Sequence, residues 1–161
     1  MDKLEIKKLS FSKKPIPIPA EYRPMYKIAL IVLILKLCCR GMSSNLLKLH
    51  LFSWALTTEK NMTELRNFVL SNFTNDFSIW GIEPTLNRAL QFALAERICE
   101  LEGGKIYKLG LRGEEFYKAI AADEELFSKE KEFLLFIGKN KITDKRISFM
   151  TQNWKLFYAE N

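Results

Sequence analysis

Between Ile98 and Phe116 the chain reads Ile-Cys-Glu-Leu-Glu-Gly-Gly-Lys-Ile-Tyr-Lys-Leu-Gly-Leu-Arg-Gly-Glu-Glu-Phe, and no other stretch restricts the fold as tightly. Two short strand-like pieces flank Gly103-Gly104. A Gly-Gly pair takes the positive φ angles that a two-residue hairpin turn requires. Tyr107 and Leu109 then share one strand face, with Cys99 and Leu101 as partners across the hairpin. Upstream, Pro84 to Arg97 reads as a helix, and helix follows again after the hairpin. Helix, small Gly-turned hairpin and further helix is the pattern of a winged helix. Winged helices grip either nucleic acid or another protein, so the residues on the helix and the wing have to discriminate.

Apolar residues make up 48% of the 161-residue chain, enough for one domain with a real core. The run Ile28 to Cys39 is apolar nearly all the way round a helix and contains Lys36. It is far shorter than the roughly 20 apolar residues of a membrane span. Pro-rich sequence precedes it and no small-residue cleavage site follows, unlike a signal peptide. It is expected to be a buried helix, Pro24 to Cys39, with Pro24 at a tolerated N-terminal position.

Ser43 or Ser44 is placed to cap a second helix, Asn45 to Leu56. A third spans about Met62 to Phe73, and Thr74 to Ile82 is a polar connector. Beyond the wing, Glu114 to Phe127 and Glu130 to Ile137 read as helices broken near Ser128, and a last helix covers Thr143 to Phe157. The expected fold class is mainly α: a winged helix with a two-stranded β-wing, an extended N-terminal strap and additional C-terminal helices. In domain terms, 1–23 is a basic, Pro-rich strap, 24–127 the winged-helix domain, and 128–161 a helical extension packed on that domain. In the strap, Lys13-Lys-Pro-Ile-Pro-Ile-Pro19 forbids helix and favours a polyproline-like course, lying in a groove of its own body or of a partner.

Charge is unevenly spread. The net charge is +6, with Lys3, Lys7, Lys8, Lys13, Lys14, Arg23 and Lys27 near one end. Lys139, Lys141, Lys145 and Arg146 surround Asp144 near the other, whereas Glu83 to Glu132 is rich in Glu. Basic ends serve either as solvated tails or as approaches to phosphate and acidic protein.

The helix before the wing is more specific. Leu86, Leu90, Leu94 and Ile98 fall on one face, while Thr85, Arg88, Phe92, Ala95 and Glu96 fall on the other. A helix that reads a major groove offers Arg, Lys, Asn or Gln to base edges, with basic or polar neighbours for phosphate. Here the outward face centres on Phe92, with Arg88 as its one basic group and Glu83, Glu100 and Glu102 nearby. Exposed Phe beside Arg favours a protein interface. The competing expectation is that the C-terminal helices cover Phe92 and make it core.

No catalytic constellation is legible. Gly103-Gly104-Lys105 lacks the spacing and the Ser or Thr of a phosphate loop, and no Gly-x-Ser-x-Gly elbow occurs. His50 is the only His, which argues against a Cys/His metal site; the odd count of Cys38, Cys39 and Cys99 argues against a disulfide framework and for a reduced, cytoplasmic protein, with Cys38 and Cys39 as core thiols. The expectation is no enzyme, no cofactor and no metal.

Two stretches carry a family resemblance. One is the leader into the apolar helix, Pro15-Ile-Pro-Ile-Pro-Ala-Glu-Tyr-Arg-Pro-Met-Tyr-Lys-Ile-Ala-Leu-Ile-Val-Leu-Ile-Leu-Lys-Leu37, followed by Arg40-Gly-Met-Ser43. The other is Ala95-Glu-Arg-Ile-Cys-Glu-Leu-Glu-Gly-Gly-Lys-Ile-Tyr-Lys-Leu-Gly110. Over about residues 15 to 127 the chain resembles the small middle component of three-component ABC systems, whose Lamassu branch supplies bacterial anti-phage defence complexes. The resemblance implies a non-enzymatic winged-helix subunit that joins an SMC-like ATPase to an effector, often a nuclease. It offers no catalytic motif to transfer.

On this reading the chain is a structural adaptor, with Ile16, Ile18, Tyr22, Arg88, Phe92 and Trp154 as protein-contact residues. Non-specific duplex DNA is a further partner through Lys7, Lys8, Lys13, Lys14, Lys105 and Lys108, and no membrane is involved. The alternative is a winged-helix transcriptional regulator using Arg88 and Gln91 in the groove and the same lysines on phosphate.

Overall fold

A computed structural model describes residues 24–75, 77 and 84–159, with side chains through 151. The core sits around α1 (Pro24–Cys38), whose residues Ile28 through Leu35 are all 0–2% exposed. A helix apolar on every side has no face to give to water, so other elements must enclose it. Its two lysines show how. Near the N-terminus, buried Lys27 donates from Nζ to Ser53 Oγ at 3.2 Å. Near the C-terminus, Lys36 lies 5.4 Å from the Tyr117 ring centroid and 3.8 Å from Glu114 Oε1, where a cation also complements the helix dipole.

A short helical turn at Arg40–Met42, with Gly41 at φ 63° and Met42 at φ 53°, leads into β1 (Ser43–Asn45). This strand corrects the expected cap. Ser43 and Ser44 are committed to pairing, and it is Asn45 at the strand end that accepts from Lys48 N at 2.9 Å, starting α2 (Leu46–Ala55). Next comes α3 (Glu59–Leu70), capped by Thr58, which accepts from Asn61 N at 3.1 Å. It starts and stops earlier than the apolar stripe implies. Asn72 and Phe73 take φ 56° and 64°, and Phe73 N donates back to Phe68 O at 2.8 Å, closing the helix end.

The chain continues through α4 (Pro84–Ala95), β2 (Cys99–Glu102), β3 (Ile106–Leu109), α5 (Leu111–Ala122), α6 (Ser128–Ile137) and α7 (Asp144–Ala159). The three strands form one antiparallel sheet in the order β1-β3-β2. The fold is thus mainly helical with one small three-stranded sheet. The break between α5 and α6 spans Asp123–Phe127, just before Ser128, which opens α6, so α5 ends short of the expected Phe127. Asp123 Oδ1 accepts from Glu125 N at 3.0 Å, and Phe127 takes φ 53°, so local turn chemistry ends α5.

Helices α4, α5, α6 and α2 pack on α1, while α6 also meets α3 and α7 meets α2. Lys129 of α6 and Glu59 of α3 pair across that contact. Among the described residues, no helix is long and apolar enough to cross a membrane.

Candidate interaction surface on α4 and the hairpin

Leu86, Ala89, Leu90 and Ala93 bury one face of α4, with Ile98 buried just beyond its end and Leu94 half-buried. The small Ala89 and Ala93 complete a stripe that reading only the large apolar residues leaves out. On the outer side, Asn87, Arg88, Gln91 and Ala95 are exposed. Thr85, Phe92 and Glu96 are half-buried, and Phe92 packs against the edge of the core. Phe92 is therefore neither enclosed nor free-standing.

The end of α4 is shaped by backbone and by α5. Arg97 takes φ 58°, Ile98 N donates to Ala93 O at 2.9 Å and Arg97 N to Leu94 O at 3.2 Å. That pair of bonds turns the chain sharply into β2. Arg112 of α5 donates from Nη1 to Glu96 O at 2.9 Å and lies 3.3 Å from Glu96 Oε2. A cation thus satisfies a carbonyl at the negative end of α4, and the carboxylate on its outer face is already engaged. Arg112 was not singled out by the sequence; its position on α5 just past the hairpin is what brings it here.

The hairpin has the register that its alternation implies: Cys99 opposite Leu109, Glu100 opposite Lys108, Leu101 opposite Tyr107 and Glu102 opposite Ile106. Its connection has three residues instead of the expected two. Gly103 and Gly104 take φ 58° and 69° in a turn closed by Lys105 N donating to Glu102 O at 3.1 Å, and Lys105 is the extra residue. Cys99 and Leu109 are buried at the base, whereas the tip is exposed. Lys105 is exposed; Lys108 is half-buried, its Nζ 3.6 Å from Glu102 Oε1.

At the base, α5 approaches the hairpin without room for a side chain. A Cβ on Gly113 would lie 2.4 Å from Ile98 O and 2.4 Å from Leu109 Cδ1. Gly110 N donates to Ile98 O at 2.8 Å, so this carbonyl anchors the turn from β3 into α5. The hairpin is consequently held at a set angle to α4 by backbone contact.

Arg88, Phe92, Lys105 and Lys108 therefore lie on two elements that the chain joins directly. Ile16, Ile18, Tyr22, Lys7, Lys8, Lys13 and Lys14 lie outside the described residues, and of Trp154 only its place on α7 is described. The thiols offer no nucleophile: burial pushes Cys38, Cys39 and Cys99 upward, Cys99 to about 12, with the neighbouring Cys39 adding to the effect at Cys38. His50 is buried. Among the described residues, no group of three or more His, Cys, Asp or Glu is arranged to hold a metal ion. No protein-family model, curated protein or solved structure matches the chain.

Proposed function

We propose that this chain is a non-enzymatic winged-helix adaptor, a cytoplasmic subunit that joins an SMC-like ATPase to an effector nuclease in an anti-phage defence complex. The strand order β1-β3-β2, with α4 leading directly into the β2–β3 hairpin, supports the winged-helix part of the reading. The choice of protein over DNA rests on one observation: the outer face of α4 presents half-buried Phe92 one helical turn from Arg88, the one basic residue of that helix. Glu96 is paired with Arg112 and Lys108 with Glu102. Duplex binding draws its affinity from cations that replace counterions on phosphate. A half-exposed aromatic beside Arg instead fits an interface anchor. The isolated chain is expected to self-associate or to be poorly soluble, because apolar surface awaits a partner. Analytical ultracentrifugation tests this: a clean monomer at high concentration counts against the adaptor.

The exposed Arg88 and Gln91 on α4, with Lys105 on the hairpin, support the second reading, a DNA-binding regulator. That reading requires tight binding to one operator with steep salt dependence. It fails if Arg88→Ala leaves operator binding unchanged.

A further inference from the structure

A groove with a volume of about 370 Å³ opens where the end of α3 meets the α6–α7 connection, and it involves neither α4 nor the hairpin. Its size lies at the lower end of the roughly 300–1,000 Å³ usual for ligand pockets. Val69, Leu70 and Phe73 supply apolar lining, and Asn140, Lys141 and Arg146 supply polar lining. We propose that this groove docks a segment of a partner protein carrying carboxylates next to an apolar side chain.

Charge complementarity argues for that occupant. Lys139, Lys141, Lys145 and Arg146 are interrupted only by Asp144 in this part of the chain. Two of the cations are held in place. The Arg146 guanidinium lies 3.9 Å from the Phe73 ring centroid. Lys141 Nζ lies 4.1 Å from the Phe136 centroid and donates to Phe136 O at 2.8 Å. Asn140 is oriented too, since its Oδ1 accepts from Arg40 Nε at 3.0 Å and Arg40 Nη2 at 2.8 Å, which leaves its NH₂ to donate. Cations and amides fixed before binding lose less freedom when a carboxylate arrives.

The apolar half of the ligand follows from Leu70, 66% exposed at the groove, and Phe149, 63% exposed one helical turn beyond Arg146. Nucleic acid fits less well. Single strands gain affinity by stacking bases on aromatic rings. Here Arg146 covers Phe73, and Phe136 carries both Lys141 and Arg66, the latter 5.0 Å from its centroid. A phosphate backbone alone would leave the apolar lining and Leu70 in water.

The inference stands independently of what α4 binds, and it gives the chain a second interface. The experiment is selection of random peptides displayed on phage against the immobilised full-length chain. Peptides that win should carry Asp or Glu beside Leu, Ile or Phe. The winning peptide, synthesised with a fluorescein label, should bind about tenfold or more weakly to Lys141→Glu and severalfold more weakly to Leu70→Ala. Both side chains are exposed, and circular dichroism checks that each variant is folded. Labelled duplex DNA and a thymidine oligonucleotide are measured against the same proteins. The proposal is overturned if no peptide is enriched, if the winners lack acidic residues, or if both variants bind them unchanged. It is equally overturned if a nucleic acid binds in place of peptide and loses affinity on Lys141→Glu.

Discussion

The Cys38 thiol donates a hydrogen bond of 3.2 Å to the Leu134 carbonyl oxygen, fastening the end of α1 to α6 across 96 residues of chain. That oxygen also accepts from Gly138 N at 2.8 Å, so the thiol uses the second lone pair of a carbonyl near a helix end. Cys38 is fully buried and fills space as well as donating. Cys38→Ala is expected to lower stability by about 1–3 kcal/mol, through a small cavity and a lost donor. Urea denaturation of the two proteins measures it.

All three thiols should resist alkylation in the native protein and react fully in urea, as a thiol-titration assay will show. Burial holds each thiol's pKa above its ordinary value of 9.0. The sign follows: below pH 9 both folded and unfolded thiols are protonated, and the full stability is present. As pH rises from 9 toward the folded pKa, the unfolded chain loses protons that the fold retains, and stability falls. Each thiol contributes a loss of about 1.4 kcal/mol per pH unit over that window. Denaturation between pH 8 and pH 11 is expected to be steeper for the native chain than for Cys99→Ala.

Two glycines should fail for different reasons. Gly113→Ala drives a methyl group into Ile98 O and the Leu109 side chain, and is expected to cost about 1–3 kcal/mol by overpacking. Gly103→Ala meets nothing within 4 Å but must hold φ 58°, at a cost of about 1–2 kcal/mol. Removing Leu109 bulk, as in Leu109→Ala, should partly relieve the first variant and leave the second unaltered. Thermal melts of the single and double variants separate the two.

Arg97 occupies a left-handed position at the end of α4 where glycine is the commoner choice, and its side chain is exposed. Arg97→Gly should therefore raise stability by about 0.5–1 kcal/mol, read as a higher melting temperature.

The hairpin was legible because Gly103-Gly104 marks the turn and Cys99, Leu101, Tyr107 and Leu109 fall on one face; that Lys105 joins the turn and sets the register was not. α1 was legible because eight consecutive apolar positions leave no outward face. β1 was not: Ser43, Ser44 and Asn45 carry no strand signal, and they are extended because β3 offers them an edge to pair with. Helix starts at Glu59 and Leu111 were displaced from expectation, since Thr58 caps the first and Gly110, which has no capping side chain, precedes the second. On the candidate surface, Arg88 and Phe92 followed from helical spacing. The engagement of Glu96 by Arg112 did not, because it depends on how α5 meets the hairpin. The α3–α6–α7 groove was legible only as a run of basic residues, since its apolar half comes from a distant part of the chain.

The central claim is that this chain joins larger subunits through protein contacts, and a tagged pull-down from cells expressing it with its native gene neighbours tests that most directly. The account predicts stoichiometric recovery of a large coiled-coil ATPase, retained at about 0.5 M salt, where charge contacts are strongly screened. Recovery of the chain alone, or with DNA that is lost as salt rises, would contradict it.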